Sequence, residues 1–327
     1  MLVAGCGGDG DDDSSGPIPV DSEPIAGGAY VRPLGAAVEA EHAREDGVYR
    51  ERLITRFTSI TPENAMKWSV VQPERGEFRF AEADAIMRFA RRTGKRVRGH
   101  PLVWDVQLPE WVAEEDWSAG ELRQVMRAHI RALAGRYRGR IAEWDVVNEP
   151  FADDGSWERN VWYRVLGPRW VDYAFRVAHE VDPGARLFLN EIGAERRGPK
   201  SRALVRLARR LKRDGVPIDG VGFQFHLNGD YRPSRARMAA LLRSARRIGL
   251  SAAITEMDVA DTGERDQART YADAARACAA APNCTGLTVW GVTDRHSWLE
   301  PEARPLPFDE DGEPKLALRA LLEPLSR

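Results

Sequence analysis

The chain has 327 residues, 43% of them hydrophobic, which is enough for one large barrel or two ordinary domains. A formal net charge of −2 leaves no electrostatic footprint for nucleic acid. No run reaches the roughly 18 apolar residues that span a bilayer.

In chain order, Val3-Ala-Gly-Cys6 has the small-residue form of a bacterial lipoprotein cleavage site. The charged start and long apolar region of a signal peptide are missing, and a start upstream of Met1 would supply them. Cys6 is therefore expected to be lipidated, the protein exported as an extracellular or cell-surface lipoprotein, and its membrane contact confined to that anchor. Residues 7–27 are rich in Gly, Asp, Ser and Pro and read as a short disordered tether. Residues 1–29 are thus a truncated lipoprotein-like signal and linker.

From residue 30 onward strands and helices alternate. Strands are expected at 35–40, 57–60, 96–104, 141–148, 186–190, 220–226, 252–256 and 286–292. Helices are expected at 41–56, 80–93, 118–137, 161–181, 201–214, 233–248 and 264–281, with a last one from about 315. The 118–137 helix carries Leu122, Val125, Met126, Ile130 and Leu133 at helical spacing, and Ser118 with Glu121 forms a capping box. Several strands are continuous apolar runs, as when both faces are covered. Right-handed crossovers close eight such units into a single α/β domain over 30–327, a (β/α)8 TIM barrel.

Barrels build their sites at the carboxyl ends of the strands. Pro150 cannot continue a central strand, so Glu149 ends the fourth one, beside Asn148. Glu256 ends the seventh, with Asp258 two residues on. Two glutamates ending two buried strands suggest acid/base and nucleophile work on one bond. Other strand ends deliver Glu63, Asn64 and Lys67; His100, Trp104 and Gln107; Gln224 and His226; and Trp290, Asp294 and Trp298. Singly, a His or Trp here is more often a core residue; gathered at one rim, amides, carboxylates and indoles suit a neutral polyhydroxylated ligand. There is no phosphate loop and no Cys/His zinc spacing, so neither cofactor nor metal is expected. Cys278 and Cys284 flank a Pro-Asn turn, and spacing alone leaves a short disulfide and two buried thiols equally open.

These residues fall in recognisable runs. They are Ile60-Thr-Pro-Glu-Asn-Ala-Met-Lys-Trp68, Gly99-His-Pro-Leu-Val-Trp104 with Gln107-Leu-Pro-Glu-Trp111, and Trp144-Asp-Val-Val-Asn-Glu149. Further on come Asp219-Gly-Val-Gly-Phe-Gln-Phe-His226, Thr255-Glu-Met-Asp258, and Val289-Trp-Gly-Val-Thr-Asp294 with Ser297-Trp298. Over about residues 30–325 the chain resembles glycoside hydrolase family 10, the endo-β-1,4-xylanases. The resemblance implies a retaining glycosidase acting on xylan, with Glu149 as general acid/base and Glu256 as nucleophile. It implies that Asn148 contacts the sugar 2-hydroxyl and that His226, backed by Asp258, orients Glu256. Glu63, Asn64, Lys67, His100, Trp104 and Gln107 would hold sugars on the non-reducing side, and Gln224, Trp290 and Trp298 would complete the site. It also implies a Cys278–Cys284 disulfide. The partner expected is a polysaccharide or xylo-oligosaccharide, met by a monomer. Two departures stand out: Asp105 where the family usually has His, and Asn190-Glu-Ile-Gly193 where it commonly has Asn-Asp-Tyr-Asn. Alternatives are a related barrel glycosidase acting on another β-1,4-glycan or on short xylo-oligosaccharides, and a non-catalytic glycan-binding protein. Retention of both glutamates argues against the last.

Overall fold

Short, largely buried runs fold here as parallel strands, and the computed structural model describes residues 30–326 of the chain. The expected signal and tether over 1–29, with Cys6, lie outside the described residues. The strands are β1 (Leu34–Val38), β2 (Ser59–Pro62), β3 (Arg96–Gly99), β4 (Glu143–Asn148), β5 (Arg186–Glu191), β6 (Gly220–Phe223), β7 (His226–Leu227), β8 (Ser251–Val259) and β9 (Cys284–Val289). Neighbours from β1 to β6 pair in parallel, β6 pairs with β8, and β9 returns to β1, so the sheet closes. β7 continues the sixth stave after a break at Phe225 and pairs with the far end of β8. Eight staves with helices between them make the expected TIM barrel. Both faces of the sheet are covered, which is why all of β1 and β4 is buried.

Local chemistry moves some boundaries. The 41–56 helix is two helices, Ala40–Glu45 and Gly47–Arg56. Asp46 leaves helical geometry between them, and its carboxylate accepts the amides of Val48 and Tyr49, a cap that ends one helix and starts the next. The 161–181 helix is divided in the same way around Gly167-Pro168, with Gly167 at φ 64°. The Ser118–Glu121 capping box forms as expected. The third strand ends at Gly99, short of the expected 104, because Pro101 has no amide for the ladder. The chain still runs beside β4, and the Val103 amide donates to the Val146 carbonyl at 3.0 Å. Gly99 is obligatory: a Cβ there would lie 2.1 Å from the Trp144 ring. Cys278 and Cys284 are bridged, tying helix Glu264–Ala280 to the start of β9.

Candidate active site

β4 delivers its terminal glutamate in an unusual backbone. Glu149 has φ 52°, a left-handed conformation that costs a side chain about 1–2 kcal/mol. Its amide is held by the Asn190 carbonyl at 3.0 Å. The carboxylate then accepts from Gln224 Nε2 at 2.8 Å and Asn148 Nδ2 at 3.2 Å on one oxygen, and from Trp104 Nε1 at 3.1 Å on the other. Burial pushes its pKa up, the charge of Glu256 adds to this, and the Gln224 and Trp104 hydrogen bonds only partly offset them.

Glu256, on β8, has the opposite surroundings. One oxygen accepts from Asn190 Nδ2 at 2.5 Å; the other is 3.3 Å from His226 Nε2. His226 Nδ1 in turn is 2.8 Å from Asp258 Oδ2, because β7 and β8 pair those two residues in register. Trp298 Nε1 donates to the same Asp258 oxygen at 2.7 Å. Burial alone would raise Glu256, but His100 and His226 outweigh it and the net displacement is downward. Burial opposes a charged His226 as well; Asp258 and Glu256 prevail and hold its pKa well above the ordinary value.

The two carboxylates are joined by amides. Asn190 Nδ2 donates to Asn148 Oδ1 at 2.8 Å, and Thr255 Oγ1 donates to Asn190 Oδ1 at 2.8 Å. Asn190 has room only because position 222 is glycine: a Cβ there would lie 2.1 Å from Asn190 Oδ1.

On one flank, Lys67 Nζ donates to Asn64 Oδ1 at 2.7 Å, and Asn64 Nδ2 donates to Glu39 Oε1 at 2.5 Å. Lys67 also lies 5.3 Å from the centre of the Trp104 ring. Burial, then the neighbouring Glu39, pushes Glu63 up to about 7. Trp290 is buried edge-on to His100 and His226, whereas Trp298 is half-exposed. Gln107 stands apart: it is exposed, at φ 56°, and its carbonyl takes the Ser69 amide. Its side chain makes no hydrogen bond to the other expected site residues. Asp294 belongs to a scaffold contact, with Lys315 Nζ at 3.0 Å and the Leu306 amide at 2.7 Å.

Four participants escaped sequence reasoning as site residues: Glu39, Arg98, Asp145 and Asn190. Among the described residues, His100, Asp145 and Glu256 bring their ligand atoms within 4.8 Å of one another, the spacing of a metal site. Here the charge is met by a side chain, since the Arg98 guanidinium bonds both Asp145 oxygens and His100 Nδ1 takes one of them at 3.0 Å. The two departures also have consequences. Asp105 is pushed up to about 6 by burial, with Glu149 and Glu158 adding to it. Glu191 is wholly buried, accepts the Phe151 and Ile192 amides, and lies 3.4 Å from Lys200 Nζ. Burial raises its pKa well above the usual carboxylate value.

Comparison with known proteins places this geometry. The family model for glycosyl hydrolase family 10 matches residues 25–324. Endo-1,4-beta-xylanase 1 of Gibberella zeae is 39% identical over 256 residues, which are 74% of this chain and 72% of that protein. Endo-1,4-beta-xylanase A of Fusarium oxysporum is 40% identical over 254 residues, 74% of this chain and 78% of that protein. The crystal structure of native xylanase 10B from Thermotoga maritima superposes with a TM-score of 0.85 at 34% identity, covering 90% of this chain and 94% of that one. Xylanase 10B from Thermotoga petrophila, solved in complex with xylobiose, gives 0.85 at 33% identity, with 90% and 93% covered.

Proposed function

We propose, from the premise that this chain belongs to glycosyl hydrolase family 10 and is a glycoside hydrolase, that it is an endo-1,4-β-xylanase cleaving internal bonds of xylan with retention of configuration. The observation that carries the assignment of roles is what the two joined glutamates touch: Glu149 accepts only from amides and an indole, which leaves its pKa displaced upward, whereas Glu256 lies against the His226–Asp258 pair and is displaced downward. Glu149 holds a proton to give to the glycosidic oxygen. Glu256, ionised against His226, attacks the anomeric carbon as the C–O bond breaks, leaving a glycosyl ester on its carboxylate. Glu149, now a carboxylate, takes a proton from water. That water attacks the same carbon, releases Glu256, and gives a sugar of the original configuration. Asn148 contacts the sugar 2-hydroxyl. Asp258 fixes His226, and His226 keeps Glu256 charged. Glu63, Asn64, Lys67, His100, Trp104, Gln107 and Gln224 serve the sugars flanking the cleaved bond, with Trp290 and Trp298 walling the ring.

The catalytic unit is residues 30–327, acting as a monomer and exported, with Cys6 the lipid attachment point. Mass spectrometry of the protein from its native host tests the last point: an unmodified Cys6 in the mature chain removes it.

Aryl xylosides separate the two glutamates. Glu256→Ala is inactive whatever the leaving group. Glu149→Ala keeps the first step on an activated leaving group, accumulates the intermediate, and regains turnover with azide as a β-glycosyl azide. On xylan it loses about 10²–10⁴-fold, the range for general acid–base catalysis. Release of α-configured sugar first by the wild type, or a Glu149→Ala enzyme blind to both leaving group and azide, overturns the assignment.

A further inference from the structure

The outer wall of the barrel carries a charge asymmetry that the cleft does not use. Helices Pro199–Arg213 and Arg235–Arg246 lie side by side, and neither contains an Asp or Glu. Arg202, Arg206, Arg209 and Arg213 recur on one exposed face of the first, and Arg243 and Arg246 are exposed on the second. Of these only Arg213 has an acidic partner among the described residues, its neighbour Asp214. The flanking helices are balanced. In Glu264–Ala280, Arg269 pairs with Asp266 at 3.1 Å, and Arg276 stands beside Asp273. In Trp170–Val181, Asp172 is bonded by Arg210 and Arg169. With a whole-chain charge of −2, this wall faces an acidic remainder.

One loop joins the wall to the cleft. The loop that leaves β5, whose Asn190 bridges the two glutamates, carries exposed Arg196 and Arg197 before entering the first basic helix. Arg196 lies 4.4 Å over the Tyr231 ring, and Arg237 bonds the Glu195 carbonyl at 2.8 Å and the Arg196 carbonyl at 2.7 Å, so the connection is braced. The cations are overwhelmingly Arg, whose planar fork suits a carboxylate better than a lysine does.

We propose that this wall, from Arg196 and Arg197 down the two helices, is a docking surface for xylan bearing uronic acid side groups. It rests on the reading of the cleft as a xylan site. A polymer threaded across the rim would lay carboxylates along the arginines, and the wall would capture and retain acidic chains ahead of neutral ones. Recognition is by charge, so it fades as salt rises.

The test compares the wild type with a wall variant combining Arg202→Gln, Arg206→Gln, Arg209→Gln, Arg243→Gln and Arg246→Gln. A control of equal charge change combines Arg91→Gln, Arg92→Gln, Arg123→Gln and Arg131→Gln on two other helices with Arg138→Gln in the turn after the second. All are exposed, and Gln matches Arg in helix propensity, so both variants should fold. At an ionic strength of about 0.01 M, the wall variant should bind glucuronoxylan about tenfold more weakly and show a correspondingly lower kcat/KM on it. The control should stay within about twofold, and near 1 M salt the three proteins should converge. Cleavage of unsubstituted xylohexaose should be the same in all three. Equal losses in both variants, or no loss in the wall variant, overturn the docking surface. So does wall-dependent binding to vesicles containing phosphatidylglycerol without any to glucuronoxylan, which would make the partner a membrane. Failure of the wild type to cleave xylohexaose would instead sink the reading of the cleft, leaving the binding measurement to stand or fall separately.

Discussion

The lower half of the barrel interior and its carboxyl rim bury charge in opposite ways. Below, Arg98 donates to Glu143 at 2.6 Å and to both oxygens of Asp145, and Arg186 adds a second contact to Glu143 at 3.4 Å. Every acid there touches a guanidinium. At the rim, Glu149 touches two amides and an indole but no cation, and Glu39 and Glu63 share a flank with one lysine. The lower charges are locked by guanidinium pairing. At the rim Glu149 has no cation and its pKa is raised, while Glu256 is held ionised only by histidine, itself a titratable group.

The largest expected effect separates the halves by activity. Glu256→Ala should cost about 10⁴-fold or more on xylan, roughly 5 kcal/mol of barrier, while thermal unfolding moves little. Arg98→Met should do the reverse in the first instance. Leaving Asp145 with only His100 and Glu143 with only Arg186 costs about 3–5 kcal/mol of stability, read as a lower denaturant midpoint. An unchanged midpoint would break the contrast. Removing the Cys278–Cys284 bridge with a double Ser variant removes a short closed loop, about 2 kcal/mol by loop entropy, without touching either half. Its pH–rate profile should superpose on the wild type.

Two titration measurements sharpen the contrast further. Glu63 has its folded pKa raised from 4.5 to about 7, so between those values the native state keeps a proton that the unfolded chain has released. Stability therefore falls as pH rises through that window, and Glu63→Gln should flatten the fall in a melting series. The smallest effect belongs to Asp105→Asn. Taking a negative charge away from Glu149 eases its deprotonation, so the basic limb of kcat/KM should move to lower pH with its plateau unchanged. A move to higher pH would show that Asp105 acts on Glu149 by some route other than charge.

How much of this was legible in the sequence follows from the range of each signal. The strands announced themselves locally, through apolar runs such as the one stopped by Pro150, and the glutamates were readable because they end such runs. Lys67, Asn64 and the His226–Asp258 pair were reached as members of quoted motifs. Glu39, Arg98, Asp145 and Asn190 were missed as site residues because their meaning lies in register. Arg98 pairs with Glu143 across β3 and β4, and Asn190 meets Asn148 across β4 and β5. No one-dimensional pattern reports which residue lies opposite. Gly222 was a trace of it, a glycine inside a strand where another side chain comes close. The helix divisions at Asp46 and Gly167-Pro168 were local and readable, but amphipathic periodicity on both sides masked them.

The left-handed backbone at Glu149 sets its chemistry against its conformation. Glycine or asparagine would occupy φ 52° with less strain, and neither can carry a proton to an oxygen. On the proposed acid/base role, selection for catalysis and selection for durability pull this one position in different directions. In any lineage released from selection for cleavage, drift would be expected to empty this site early, yielding a sturdier barrel.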